Sequence, residues 1–320
     1  MTAPDMLEGR VARVDARGCL VRLTAARTDL PGLGREVWCA VAGRLHLKDR
    51  TGQKTPVAVG DRVVVRLDVG TEERRGAQVV ELLPRTSMLS RPAVHKGRVE
   101  HVLATNVDQV LIVTAAADPA FNPSLVDRLL AVVEWSRLEA VLVLNKMDLV
   151  AAEPPETAAY RALGYSVCPV SATTGAGIDE LRARLTGRVS VVVGHSGVGK
   201  SSVLNAVEHG LGLVVGEVNA VSGRGTHTTT AAVLAELAGG GAVIDTAGVR
   251  EFGLFKIPPR ELSWLFRDLA REGPACRFGD CSHTHEPGCA IEAAVEAGRI
   301  AAFRYDSYLK ILESMQEGPR

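Results

Sequence analysis

The chain has 320 residues, and its 37 Lys plus Arg balance 37 Asp plus Glu, so no global field draws polyanions and any nucleic-acid contact must rest on local patches. Hydrophobic residues at 46% and charged residues at 23% are the proportions of a globular protein with a real core, and the length suits two or three domains. The segment Met1 to Arg10 has no apolar run of signal-peptide type, and the longest apolar stretches, such as 110–117, are too short to span a bilayer. A cytoplasmic location is therefore expected, with the six cysteines as thiols or metal ligands rather than disulfides.

Residues 7–83 alternate like short strands. Val11, Val21, Val37, Val63, Val65 and Val79 recur among charged residues, and turn signals at Arg17-Gly18, Pro31-Gly32, Gly52 and Gly60-Asp61 separate the runs. This spacing predicts a small β-barrel. The interleaved Arg10, Arg13, Arg17, Arg22 and Arg27 read as a solvated outer face, with an oligonucleotide-binding surface as the alternative. Residues 84–101 read as a polar, basic connector, either a linker or a contact with RNA phosphates.

From Val102 the rhythm becomes strand and helix in alternation. Strands are predicted at 110–113, 141–144 and 166–170, and helices near 151–163 and 179–185. Leu125, Leu129, Val132 and Val133 fall on one face of a further helix. Such alternation predicts a parallel sheet with helices on both faces. Two more strands are expected at 233–237 and 242–244. After Pro258-Pro259, Leu262, Leu265, Phe266 and Leu269 predict one amphipathic helix, and Tyr305, Tyr308, Leu309 and Leu312 share a face of another.

Asn145-Lys146-Met147-Asp148 is N-K-x-D, directly after a buried strand, where α/β sheets bind ligands. An Asp148 carboxylate there can accept both N1–H and the exocyclic amine of guanine, a donor pair that adenine lacks. Lys146 can lie along the base plane, and Asn145 is expected to tie this loop to the phosphate loop. Ser171-Ala172 follows the next strand and is placed to present a backbone N–H to guanine O6; an ordinary strand-to-helix turn is the alternative.

The strongest signal is Gly194-His195-Ser196-Gly197-Val198-Gly199-Lys200-Ser201, which is G-x-x-x-x-G-K-S between the strand 189–193 and a helix opening at Ser202. Backbone N–H groups of such a loop curl around the β-phosphate at a helix N-terminus. Lys200 would reach the β- and γ-phosphates, and the Ser201 hydroxyl would ligate Mg²⁺. Asp245-Thr246-Ala247-Gly248 fits D-x-x-G, with Asp245 holding Mg²⁺ through water and the Gly248 N–H sensing the γ-phosphate. Between these motifs, 223–230 is rich in Gly and Thr and suits a switch segment with Thr228 or Thr229 on Mg²⁺. Finally, Cys276, Cys281 and Cys289 lie within one loop with His283 and His285, and three Cys with one of these His can close a tetrahedral Zn²⁺ site. Cys19, Cys39 and Cys168 read as small core residues.

The guanine-nucleotide motifs stand in a permuted order: the base-reading elements precede the P-loop, the Thr switch and D-x-x-G. With Asn106-Val107-Asp108-Gln109, N-K-M-D, G-H-S-G-V-G-K-S, R-G-T-H-T-T-T, D-T-A-G-V-R-E-F-G and the C-x4-C-x-H-x5-C loop, the chain resembles, over nearly its whole length, the ribosome small-subunit-dependent GTPase A family (RsgA, also called YjeQ). The resemblance implies an N-terminal OB-fold (1–86), a basic linker (87–101), a circularly permuted P-loop GTPase of α/β type (102–257) and a mainly helical zinc-binding domain (258–320). It also implies one structural Zn²⁺ on Cys276, Cys281, His283 and Cys289, and Mg²⁺ with GTP or GDP. The implied partners are the small ribosomal subunit and its rRNA, with no membrane and a monomeric chain. The implied role is a checkpoint or release switch in late small-subunit maturation, its hydrolysis stimulated by that subunit.

Val249 occupies the position after D-x-x-G where many GTPases carry a water-orienting Gln. Slow intrinsic hydrolysis is therefore expected, with water positioned by His227 or by a group the ribosome orders; His195 is a second candidate at a variable loop position. The segment after D-x-x-G runs straight into the zinc module, so γ-phosphate could reorient that module. A P-loop kinase or ATPase, and an RNA-binding module with a purely structural nucleotide, are the competing classes.

Overall fold

A computed structural model describes residues 5–15, 17–25, 35–43, 45, 56–68, 76–92, 100–209, 211, 232–245, 254 and 257–316. The chain forms two compact units, one drawn from 1–108, 185–192 and 220–251, the other from 109–184, 193–219 and 252–320.

In a strand, alternate side chains share a face, so the apolar alternation of the N-terminal segment aims Val11, Cys19, Val21, Cys39, Val63, Val65 and Val79 into one interior, all fully buried. The strands are β1 (Asp5–Asp15), β2 (Gly18–Leu23), β3 (Glu36–Val41), β4 (Arg62–Asp68) and β5 (Gly76–Leu82). Their order is β1-β2-β3-β5-β4, and β1 also pairs with β4, closing a five-stranded OB-like barrel. The β3–β5 pairing is parallel and the other barrel pairings are antiparallel. Closure removes the sheet edges that would otherwise need protection. Cys19 and Cys39 are cross-strand partners, and burial pushes both thiols up to about 12, which makes them inert core residues.

The connector stretch contains structure that its basic composition hides. β6 (Met88–Pro92) pairs antiparallel with β7 (Glu100–Thr105), and Leu89, Val102, Leu103 and Ala104 are buried. Buried Asp61 accepts two bonds from Arg85 (2.7 and 2.8 Å), one from Thr105 Oγ1 (2.8 Å) and one from the Ala58 N–H (2.8 Å). Asn106 Nδ2 donates to Gly60 O at 3.0 Å, and its Oδ1 accepts the Thr86 N–H at 3.0 Å. These bonds fasten the barrel to the chain entering the next strand.

That strand, β8 (Gln109–Ala115), lies parallel to β9 (Glu139–Asn145), which lies parallel to β10 (Ser166–Pro169). The near-continuous burial of β8 and β9 explains their unbroken Val/Leu/Ile runs. The helices α1 (Pro123–Trp135), α2 (Glu156–Ala162) and α3 (Ile178–Leu185) follow these strands. α1 opens with Asn122 accepting the Leu125 N–H and a proline in its first turn.

β11 (Val189–Val193), β12 (Val233–Glu236) and β13 (Ala242–Asp245) belong to the unit that holds the barrel. β11 runs parallel to β13, β12 lies antiparallel to β13, and β12 meets β1 at the pair Arg13–Val233. In the other unit, β11 is followed by α4 (Lys200–Val207).

The C-terminal module is helical, with one departure from the predicted pattern. The expected single helix around Leu262 to Leu269 is a 3₁₀ segment, Pro259–Leu265, then α5 (Arg267–Glu272). Phe266 between them is extended (φ −103°, ψ 107°), which turns its ring into the core beside Leu262 and Leu269. α6 (Ala290–Glu296) and α7 (Ala302–Gln316) complete the module. Arg304 of α7 is buried: it grips Asp268 of α5 with two bonds of 2.9 Å and also bonds Asp127 of α1, whose Oδ1 accepts the Tyr160 hydroxyl at 2.8 Å. A second tie runs from Arg267 Nε to Glu134 Oε1 at 2.7 Å, with the guanidinium stacked on Tyr165. Among the described residues, no helix is long and apolar enough to cross a membrane.

Candidate functional site

Two loops that are distant in sequence converge beyond the strand ends of β8 and β9. Gly194, at φ 147°, packs so closely on β8 that a Cβ would lie 2.1 Å from Val113 O. Gly199, at φ 90°, would place a Cβ 2.4 Å from Asn145 Nδ2. Only glycine satisfies both the backbone angles and the contacts, which is why the P-loop needs its glycines here. Buried Val198 anchors the loop from below. Lys200 Nζ donates to Gly194 O (2.9 Å) and His195 O (2.8 Å), so the ammonium spans the mouth of the loop. The His195 ring nitrogen Nδ1 pairs with Ser196 O at 2.8 Å, on the exposed side. Ser201 and Ser202 lie in the first turn of α4.

Asn145 joins three motifs. Its Nδ2 donates to Val198 O at 2.9 Å, its Oδ1 accepts the Ala172 N–H at 3.1 Å, and its carbonyl accepts the Ala116 N–H at 2.8 Å. It is 2% exposed, and its bond to Val198 is buried while that to Ala172 is part-buried. Lys146 sits in the left-handed region (φ 63°) and bonds the Asp118 carbonyl with its ammonium. Asp148 lies in the turn Met147–Leu149, where its Oδ1 accepts the Ser171 hydroxyl at 2.6 Å. Ser171 is buried, and its Oγ also accepts the Thr174 N–H at 3.1 Å. The structure thus brings Asn145, Lys146, Asp148, Ser171 and Ala172 together with the P-loop. In the Ser171-Ala172 turn, expected to offer a backbone N–H to guanine O6, the Ala172 N–H is engaged by Asn145.

Asp245 ends β13, in register with Val192 and Val233. His227, Thr228, Thr229 and Gly248 lie outside the described residues.

Two contributors have no motif. The loop after β8 carries Asp118, which holds Lys146, and Pro119, whose Cδ lies 3.9 Å from where a Gly197 Cβ would be. Its place at a strand's C-terminal end was the available signal. Arg182 of α3 reaches the C-terminal end of α4, with Nε donating to Val207 O (2.9 Å) and Nη2 to Ala206 O (3.3 Å). A cation there satisfies orphan carbonyls and the helix dipole together. Arg182→Ala is expected to destabilise this helix end by about 1 kcal/mol, read as faster amide exchange across Leu204–Val207 against an unchanged barrel.

The second site is built differently. Cys276 follows the 3₁₀ turn Gly273–Ala275, and Cys289 caps α6. The ligand atoms of Cys276, Cys281, His283 and Cys289 all lie within 4.8 Å of one another. His283 Nδ1 is 3.5 Å from Cys276 Sγ and 3.6 Å from Cys289 Sγ, close to the roughly 3.6 Å that N and S ligands of one tetrahedral Zn²⁺ must keep. His285 turns away and bonds Thr284 Oγ1. The loop is braced from outside: Tyr305 and Tyr308 donate to the carbonyls of His283 (2.7 Å) and Ser282 (2.8 Å). Glu286 takes the Ser282 N–H and hydroxyl; burial opposes its charge, but these bonds hold its carboxyl well below the usual carboxylate range. Burial pushes the Cys281 thiol up to about 12, Cys289 upward and the His283 imidazole downward. Three crowded thiols and a neutral imidazole are a donor set that a divalent cation fits and charges favourably. The cluster could hold a metal ion.

A family model described as RsgA GTPase matches residues 82–255. The chain belongs to the RsgA GTPase family. "Small ribosomal subunit biogenesis GTPase RsgA" of Chlorobaculum parvum is 44% identical over 269 residues, covering 82% of this chain and 86% of that protein. Its namesake in Porphyromonas gingivalis is 38% identical over 288 residues, covering 88% and 90%. Among solved structures, YjeQ from Thermotoga maritima superposes with a TM-score of 0.73 at 31% identity, covering 99% of this chain and all of that one. YloQ, described as a circularly permuted GTPase, gives 0.68 at 28% identity over 99% and 97%. The chain is circularly permuted too, with N-K-x-D ahead of the P-loop.

Proposed function

We propose that this chain hydrolyses GTP while bound to the small ribosomal subunit and its rRNA, as a checkpoint and release switch late in the subunit's maturation. The observation that supports it most directly is Asn145, which fixes the base-reading turn and the phosphate loop to one another. In this reading Asp148 accepts the guanine donor pair, Lys146 flanks the base, and Ser171 and Ala172 complete the base site by bracing Asp148 and Asn145. The loop Gly194 to Ser202 wraps the phosphates, Lys200 neutralises them, and Ser201 meets Mg²⁺. Asp245, Thr228 or Thr229, and Gly248 form the switch side, and water is positioned by His227 or by a group the ribosome orders. The relatives' shared name supplies the ribosomal context. We assign the domains as 1–86, 102–257 and 258–320 about the 87–101 connector, with a monomeric chain acting in the cytoplasm.

The test is GTP turnover by the purified protein alone, with small subunits, and with large subunits and ATP as controls. Stimulation by small subunits only, and for GTP only, is the expected result. GTP binding without stimulated turnover would instead favour an RNA-binding module with a structural nucleotide.

The Cys276–Cys281–His283–Cys289 cluster is assigned a structural Zn²⁺, since four protein ligands leave no position for substrate. Elemental analysis should find about one zinc per chain. Cys281→Ser should lose the metal and unfold the C-terminal module at lower temperature than the parent, while the barrel is unaffected.

A further inference from the structure

The tetrapeptide Asn106-Val107-Asp108-Gln109 leads into β8 and carries no nucleotide-binding motif. Its hydrogen bonds nevertheless reach three separate segments. Asn106 bonds Gly60 O and the Thr86 N–H on the barrel side. Asp108 makes two bonds to one residue at the start of β11: its Oδ2 accepts the Val189 N–H at 2.7 Å, and its own N–H donates to Val189 O at 2.8 Å. Gln109 Nε2 donates to Arg184 O at 3.0 Å, in the last turn of α3, where carbonyls lack helical partners. α3 ends at Leu185 and β11 begins at Val189. Asp108 and Gln109 therefore hold the chain on either side of the short join 186–188, which in this motif order leads from the base-reading turns into the phosphate loop.

What such a clasp supplies is register. Val189-Ser190-Val191-Val192-Val193 is buried at every position, so no inside–outside alternation separates one register from the next. Yet the far end of the strand tolerates only one. Asp108 and Val189 are 81 residues apart, and so are Val113 and Gly194, so a single register runs from the Asp108 bond to the close approach of Gly194 to Val113 O. A slip of one residue moves β11 by about 3.3 Å and sets Val193 or His195 against that carbonyl. Either brings a Cβ, which at Gly194 would lie 2.1 Å from the oxygen.

We propose that Asp108 is a positioning residue for the phosphate loop: through Val189 it pins the register in which β11 delivers Gly194, while Gln109 holds the other side of the join. The proposal rests on the reading of Gly194 to Ser202 as the phosphate site. The bond from the Asp108 N–H to Val189 O does not need the side chain, so removing the carboxylate loosens the strand without dissolving it.

The experiment measures binding of GDP and of GMP to the full chain as the parent, Asp108→Ala and Asp108→Asn, with amide exchange on the nucleotide-free protein. GMP lacks the β-phosphate that a P-loop wraps, so it reports chiefly the base side. Asp108→Ala should bind GDP about tenfold more weakly than the parent and GMP within about twofold. Asp108→Asn keeps an acceptor for the Val189 N–H and should recover most of the GDP affinity. Exchange at Val189–Val193 should rise in Asp108→Ala, while β9 and β10 stay protected. Equal losses for GDP and GMP, or parental affinity for both, would overturn the proposal. A parent that binds GDP no better than GMP would sink the phosphate-site reading instead. The exchange arm then decides the pin alone, and parental rates across β11 in Asp108→Ala would end it.

Discussion

Arg304→Ala is expected to lower stability by about 3–5 kcal/mol. Arg304 is 1% exposed and lies between two carboxylates that are nearly as buried, Asp127 at 1% and Asp268 at 7%. Removing the guanidinium leaves both without a counter-charge, in a core formed with Phe266 and Tyr160, over whose rings the guanidinium sits at 4.6 and 5.5 Å. The pH dependence has a definite sign. Burial already raises the Asp127 carboxyl above its ordinary value, against the charge of Arg304 and hydrogen bonds from Ser307 and Tyr160. Without Arg304 it rises further. The folded variant then holds a proton that the unfolded chain releases, so its stability is greatest below the unfolded value and is lost as pH rises through the folded one. The deficit relative to the parent should narrow as pH falls from about 8 to about 5. Urea unfolding followed by tryptophan emission suits this test, because Trp135 ends α1 and Trp264 lies in the 3₁₀ segment of the C-terminal module. A deficit under about 1 kcal/mol, flat with pH, would mean that water reaches the triad.

The same triad bears on the expectation that γ-phosphate reorients the C-terminal module. Asp127 and Arg128 belong to α1, which follows β8 of the nucleotide-binding sheet, whereas Arg304, Asp268 and Ser314 belong to the module. Moving the module off α1 would expose or strand a buried charge. A nucleotide-driven shift is therefore expected to carry α1 and the module together.

What the sequence makes legible is local. The P-loop, N-K-x-D and the Cys/His loop need fixed residues at fixed short spacing, and barrel alternation follows from the two-residue period of a strand. Features whose cause is remote in sequence leave no such mark. Arg304 reads as a polar position on α7, and nothing near it signals carboxylates on α1 and α5. Leu89, Val102 and Ala104 were too sparse among basic residues to mark β6 and β7 as strands. Arg182 and Asp118 act on α4 and Lys146 through contacts that no motif records. At Ala172 the location was legible, but the partner of its N–H depended on where Asn145 pointed.

Asn145→Ala is expected to weaken GTP binding by at least about 100-fold, close to 3 kcal/mol. The truncation strands two groups, the buried Val198 carbonyl inside the P-loop and the half-buried Ala172 N–H in the base-side turn. The first loses its bond in a buried place and costs about 1–3 kcal/mol, and the second, partly open to water, adds about 1 kcal/mol. The damage should fall on alignment rather than folding, because β9 keeps its pairing through backbone bonds with β8 and β10. Asn145→Asp makes the argument sharper. It retains an acceptor for Ala172 but sets a carboxylate against the Val198 carbonyl, so it should be no better than alanine. Ser171→Ala is the calibrating control. It removes one brace from the exposed Asp148 and should cost about tenfold. Titration with a fluorescent GDP, paired with melting curves, separates alignment from stability. Parental affinity in both Asn145 variants would show that the base turn and the P-loop align without this bond, and would remove the observation on which the guanine-nucleotide assignment leans most.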